Sequence, residues 1–115
     1  MKVAGIGCRA DAPPAALRDA LARAEAQAGP VAALATIAAR RENVAALGLP
    51  VHVVAVGDIA TPTRSARIHA LHRTGSVAEA AALAACGPGA RIVVARVLSR
   101  CGRATAAIAE SETRE

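Results

Sequence analysis

Short apolar runs alternate along this 115-residue chain with longer stretches in which apolar positions recur three and four apart. The first pattern predicts buried strands and the second amphipathic helices. Residues 3–8 (VAGIGC) and 31–37 (VAALATI) read as strands, and residues 51–56 (VHVVAV) as a third, dominated by β-branched side chains. Residues 91–97 (RIVVARV) and 104–109 (ATAAIA) form a closing pair with hairpin spacing. Between the first two runs Leu17, Leu21, Ala24 and Ala28 fall at helical spacing. Asp11 is the expected N-cap there, Pro13 and Pro14 fit the first turn, and Gly29-Pro30 stops the helix. A basic, helix-compatible stretch runs from Arg40 through Leu47 to a stop at Gly48, and Ser65 is placed to cap a short helix through His72. His52 sits within the third strand, where a lone histidine is ordinarily structural. The polar tail over 109–115 is expected to fray. The alternation predicts an α/β fold, and the length leaves room for one domain with one core.

The organising stretch is residues 75–89 (GSVAEAAALAACGPG), a helix with both ends written into it. Ser76 and Glu79 have the spacing of a capping box, in which the serine accepts from the Glu79 N–H and the carboxylate reaches back. Gly87 stops the run. Its alanines give the helix so little bulk that it can lie close against a sheet or a ligand. Gly75 leaves room for another group to approach the first-turn amides, where the helix carries roughly half a positive charge. That end is a candidate anion site.

Composition sharpens this picture. Hydrophobic residues make up 54% of the chain without a single Phe, Tyr or Trp, so the core must be closely packed Ala, Val, Leu and Ile. The same absence argues against single-stranded nucleic acid, which is usually bound by stacking on aromatic rings. Net charge is +5, and all fourteen basic residues except Lys2 are arginine. The guanidinium fork pairs bidentately with carboxylate or phosphate, so a polyanionic partner is expected. Cys8, Cys86 and Cys101 are odd in number and show no metal or disulfide spacing, which fits a reducing, cytoplasmic setting. The opening MKVAGIGC is too short an apolar run for an export signal, and no uncharged stretch reaches the ~18 residues of a membrane span. Gly5-x-Gly7 lacks the third glycine and the downstream acidic residue of a dinucleotide fingerprint. No intrinsic metal or cofactor is expected.

The stretch after Gly57 breaks the strand pattern. Thr61-Pro62-Thr63 marks a loop rich in donors, with Arg64, Arg67, Arg73 and Ser65 placed to bind carboxylates, and it leads directly into the capped helix. His69 and His72 can share a helix face, yet no third metal ligand lies near them in sequence.

Taken in order, GIGCR, ALATI, LGLPV, TPTRS, TGSVAEAAALAA and RIVVARVLSRCGRATAAIAE resemble the cobalamin-biosynthesis family that contains CobE and the C-terminal domain of CbiG. The resemblance covers nearly the whole chain. It implies a three-layer α/β/α domain on a mixed, largely parallel sheet of about five strands. It also implies a role in vitamin B12 synthesis of the CobE type, as a carrier or accessory factor for a polycarboxylate precorrin or corrin intermediate. The alternatives are a hydrolytic step like the lactone opening of cobalt-precorrin-5A by CbiG, with release of acetaldehyde, or a module that docks on other pathway enzymes. Homodimerisation is compatible with the docking reading. Where relatives commonly show Val-Pro-Lys at the end of the fourth strand, this chain has Val94-Ala95-Arg96, which keeps the charge but not a lysine-specific amine chemistry.

Corrin intermediates carry acetate and propionate arms around a flat apolar ring, a match for an arginine-rich surface. The expected ligand-binding residues are Gly7, Cys8, Arg9, Thr63, Arg64, Ser65, Gly75, Ser76, Val77 and Arg96, converging beyond strand carboxyl ends. For a hydrolase, Glu79 is the candidate base and Cys8 the candidate nucleophile. A solvated Glu79 engaged in a capping box would make a poor base.

Overall fold

A computed structural model of the chain describes residues 1–111. Strand β1 spans Lys2–Cys8, helix α1 Pro14–Ala28 and β2 Ala33–Thr36. A 3-10 turn at Ala38–Arg40 runs into α2 at Arg41–Ala45, followed by β3 at Val51–Val53. Two successive helices, α3 (Ala66–His72) and α4 (Val77–Cys86), precede the β4 (Arg91–Leu98) and β5 (Ala104–Glu110) hairpin.

The five strands form one sheet in the order β3-β2-β1-β5-β4. The β1–β2 and β2–β3 pairs are parallel, while β5 is antiparallel to both β1 and β4, so β5 alone runs against the rest. Helices cover both faces. On one, Leu17, Ala20, Leu21 and Ala24 of α1 and Val44 of α2 pack with Ile6, Leu34 and Ile108. On the other, Val77, Ala80 and Ala81 of α4 pack with Val3, Ala35 and Val56, and Ile68 of α3 lies against them. This is the expected three-layer α/β/α arrangement. The fully buried Ile6, Leu17, Leu34 and Ile108 each contribute about 1.5–3 kcal/mol of burial.

Alternation of side chains along β1 explains why a chain without aromatics closes tightly. Ala4 and Ile6 face α1, whereas Gly5 faces α4. A Cβ on Gly5 would run into the Ala78 carbonyl oxygen and come within 2.7 Å of the Ala82 nitrogen. The helix backbone therefore rests directly on the strand, a contact that needs glycine below and alanines above.

Several boundaries differ from the sequence reading for physical reasons. Helix α1 is capped by Pro13 with no side-chain cap bond, and Asp11 is exposed in the turn before it. Pro13 and Pro14 carry no N–H, so fewer donors need a cap. The third strand is three residues, at an edge, and His52 and Val53 are exposed. Past Val54, whose N–H donates to the Thr36 carbonyl at 3.0 Å, the chain leaves the sheet and Val56 turns into the α4-side core. The basic stretch near Arg40 begins as a 3-10 turn, so its α-helical part is five residues. Residues 109 and 110, expected to fray, are the end of β5, paired to β1 and β4. Residues 112–115 of that tail lie outside the described residues.

Candidate functional site: a basic cleft at the switch point of the sheet

After β1 the chain adds β2 and β3 on one side and the β4–β5 hairpin on the other, so the connections diverge beyond the carboxyl end of β1. Such a divergence leaves a crevice in open α/β sheets. Here it is a cleft of about 250 Å3. Its floor is Gly7 and Cys8 of β1, Thr105 of β5 and the first turn of α4 at Ser76 and Val77. Arg9, Arg40, Arg67, Arg96, Arg103 and His72 stand around it, with Ile37, Ile68, Leu71 and Leu98 as apolar wall, and among the described residues no carboxylate lines it.

Local bonds fix the floor. A Cβ on Gly7 would meet the Thr105 hydroxyl at 2.8 Å, and that hydroxyl donates to the Gly7 carbonyl at 3.2 Å. The Arg40 Nε donates to the Cys8 carbonyl at 2.8 Å, which turns the 3-10 segment across the end of β1. The Arg9 N–H donates to the Arg103 carbonyl at 3.1 Å and ties the β1 exit to the hairpin turn. Among the described residues, the guanidinium groups of Arg9, Arg67, Arg96 and Arg103 make no hydrogen bond or ion pair, and Arg40 bonds only backbone carbonyls.

The first turn of α4 departs from the expected capping box. Ser76 Oγ accepts from the Glu79 N–H at 3.3 Å as predicted, but the Glu79 carboxylate does not reach back. It is fully buried, and it accepts from Thr63 N–H and Thr63 Oγ1, both at 2.8 Å, and from the Arg96 N–H at 2.7 Å. Glu79 is therefore neither solvated nor engaged with its own cap. The space above Gly75 is likewise filled by the protein itself: a Cβ there would strike the Thr63 carbonyl oxygen and approach Thr61 Oγ1 to 2.8 Å.

Of the ten residues expected at a ligand site, Gly7, Cys8, Arg9, Ser65, Ser76, Val77 and Arg96 border the cleft. Arg64 and Gly75 border a second, shallower hollow of about 740 Å3 on the other side of α3, which Ser65 also touches. Thr63 lies between, bonded to Glu79. Arg73 is engaged with Asp58 at 2.9 Å. His72 borders the cleft and His69 the second hollow. Arg40, Arg103 and Thr105 are cleft residues that the sequence did not mark. Arg40 and Arg103 follow a strand or a hairpin turn without a motif of their own, and only the sheet order brings them beside β1.

Burial pushes the Cys8 thiol up, and the positive charge of Arg40 offsets this only in part. Cys101, exposed on the hairpin turn, is pulled down by the Ser99 hydroxyl 3.5 Å away and by backbone donors. No histidine is hydrogen-bonded to Cys8 among the described residues. Nor do three His, Cys, Asp or Glu side chains among them gather as a metal ion would need. No described helix is long and apolar enough to cross a membrane.

Comparison with known proteins places this architecture. No curated protein sequence matches the chain. Among solved structures, CobE, a protein from the cobalamin (vitamin B12) biosynthetic pathway, is 30% identical with a TM-score of 0.81, over 100% of this chain and 93% of that one. The cobalamin biosynthesis protein chiG from Agrobacterium tumefaciens is 36% identical with a TM-score of 0.70, over 98% of this chain and 100% of that one. The family model described as cobalamin synthesis G C-terminus matches residues 2–109, and the chain thus belongs to the CbiG C-terminal family of cobalamin-biosynthesis proteins.

Proposed function

We propose that the cleft binds the carboxylate arms of a corrin or precorrin intermediate and that the protein acts as a carrier or accessory factor of CobE type. The observation that carries this reading is that, among the described residues, the guanidinium groups of Arg9, Arg67, Arg96 and Arg103 have no hydrogen-bond or ion-pair partner and no carboxylate lines the cleft they border. Like charges so grouped repel one another, and a polyanion relieves that repulsion. The apolar wall at Leu71 (61% exposed) and Leu98 (47% exposed) suits the face of a ring rather than a small hydrophilic anion. The cleft is smaller than the ~300–1,000 Å3 of sites that enclose a drug-sized ligand, so it grips an edge of the macrocycle and leaves the rest open. An open hold favours handing on. Glu79 is not among the cleft residues, and no histidine is hydrogen-bonded to Cys8 among the described residues, which favours a holding role over a hydrolytic one.

The test is a visible-absorbance and calorimetric titration with hydrogenobyrinic acid and with a cobalt-containing corrinoid, at low and high salt. Binding is expected to weaken with salt. Arg67→Ala and Arg96→Ala should each weaken it about tenfold or more, in keeping with ~1.5–3 kcal/mol for a charged hydrogen bond. Arg64→Ala, on the far side of α3, should leave it unchanged. Absence of binding by the native protein, or indifference to both substitutions, overturns the reading.

A further inference from the structure

We propose that Glu79 is the positioning residue of the cleft: its buried carboxylate holds together the two walls that deliver Arg67 and Arg96. The ligand arm of this inference rests on the reading above, while its structural arm does not.

A carboxylate buried without a cation is costly unless its lone pairs are filled. Glu79 has no ion-pair partner among the described residues, and three neutral donors from two other parts of the chain fill it instead. Its place in the first turn of α4 adds favourable interaction with the helix dipole. A capping box would have satisfied the same carboxylate locally. The side chain is spent instead on distant elements, and each of those elements carries an arginine to the cleft.

The first element is the loop before α3. Thr63 gives Glu79 both its N–H and its hydroxyl, and two residues later the Ser65 N–H donates to the Gly75 carbonyl at 2.9 Å. Ser65 caps α3, and Arg67 is the second residue of that helix. No residue of α3 is buried, so its own packing holds it weakly and its seat depends on this root. The second element is β4. Its pairing to β5 shifts register between Val94 and Val97, which takes Arg96 out of the ladder. The freed Arg96 N–H goes to Glu79. A bulge there re-aims the side chain, and the carboxylate fixes the bulge. One side chain on the rigid helix thus sets the distance between two guanidinium groups across the cleft.

Glu79→Ala, Glu79→Gln and Thr63→Val separate this role from simple stabilisation. In the ligand-free protein, Glu79→Ala should raise amide hydrogen exchange over residues 61–72 and 94–98 while leaving β1, β5 and α1 protected. Thr63→Val should raise it over 61–72 alone. For hydrogenobyrinic acid, affinity should fall at least tenfold in Glu79→Ala and by a smaller factor in Glu79→Gln, whose single oxygen can keep part of the set. The coupling is read by a double-mutant cycle. Arg96→Ala should cost about tenfold in the native background and less than threefold in Glu79→Ala. An equal Arg96→Ala penalty in both backgrounds, or exchange unaltered at both walls, overturns the inference even where the native protein binds. Localised exchange in Glu79→Ala, together with a native protein that binds no corrinoid, would instead overturn the cleft's proposed ligand and leave the hold of Glu79 supported. If Glu79→Ala does not fold, Thr63→Val decides: unaltered exchange over 61–72 rejects the proposal.

Discussion

Helices α3 and α4 lie on the same face of the sheet and begin with the same device, a serine whose hydroxyl accepts from an N–H three residues on at 3.3 Å. Beyond that cap they diverge. Residues Val77 through Ala82 of α4 are buried, and its backbone sits on Gly5, whereas α3 buries no residue and is bordered by a cavity on each side. The contrast teaches that a cap decides where a helix starts but not how firmly it is held. A seven-residue helix has little stability of its own, and tertiary packing supplies the rest. The cleft is thus built from a fixed floor, made by β1 and α4, and a lightly seated wall, made by α3 and its loop. Binding residues on loosely packed elements can adjust to a ligand at small cost, provided their roots are fixed.

The strongest way to break this contrast is at the floor. Gly5→Ala places a methyl group where the Ala78 carbonyl oxygen lies, and is expected to cost about 4 kcal/mol or to prevent folding. Leu71→Ala on α3 should stay within about 0.5 kcal/mol in the same urea unfolding experiment. A loss below about 1 kcal/mol for Gly5→Ala would show that α4 does not rest on β1.

A smaller effect sharpens the comparison at the caps themselves. Ser76→Ala should lower global stability by about 1–2 kcal/mol, because α4 unfolds only with the core. Ser65→Ala removes a cap of equal geometry, yet should shift global stability by less than about 0.5 kcal/mol and appear instead as faster hydrogen exchange within α3. Equal losses in both variants would mean that the two helices are equally anchored.

The smallest effect needs no mutation. Cys86 closes α4 and Cys8 ends β1, and burial raises both thiols, whereas Cys101 on the exposed hairpin turn is lowered. The thiolate is the reacting form, so a lowered value means more thiolate at a given pH. Iodoacetamide alkylation followed by peptide mass should therefore modify Cys101 first at neutral pH. Cys8 and Cys86 should follow only as pH rises. Early modification of Cys86 would indicate that the end of α4 opens.

Much of the fold can be read from the residues alone, because its signals are local. The apolar runs around β1, β2, β4 and β5, the proline entry and glycine exit of α1, and the serine caps of α3 and α4 each act within a few positions. The β-branched run at residues 51–56 misleads for the complementary reason. Propensity favours a strand there, but a strand lasts only as long as its neighbour, and β2 offers β3 just three partners.

At the cleft the division is sharper. Charge, the arginine excess and the absence of aromatics raise the expectation of a polyanionic ligand from composition, and Gly7, Cys8, Arg9, Ser76, Val77 and Arg96, which border the cleft, stand out by position in their motifs. Arg40 and Arg103 do not, since nothing near them in the chain says that both will face the end of β1. The fate of Glu79 is the clearest case. Its spacing from Ser76 offers a local partner, and local spacing is all that a sequence displays. Which acceptor a carboxylate keeps depends on what surrounds it after burial. Here the donors come from Thr63 and Arg96, sixteen and seventeen residues away in opposite directions, and only the packing of loop, helix and bulged strand brings them together.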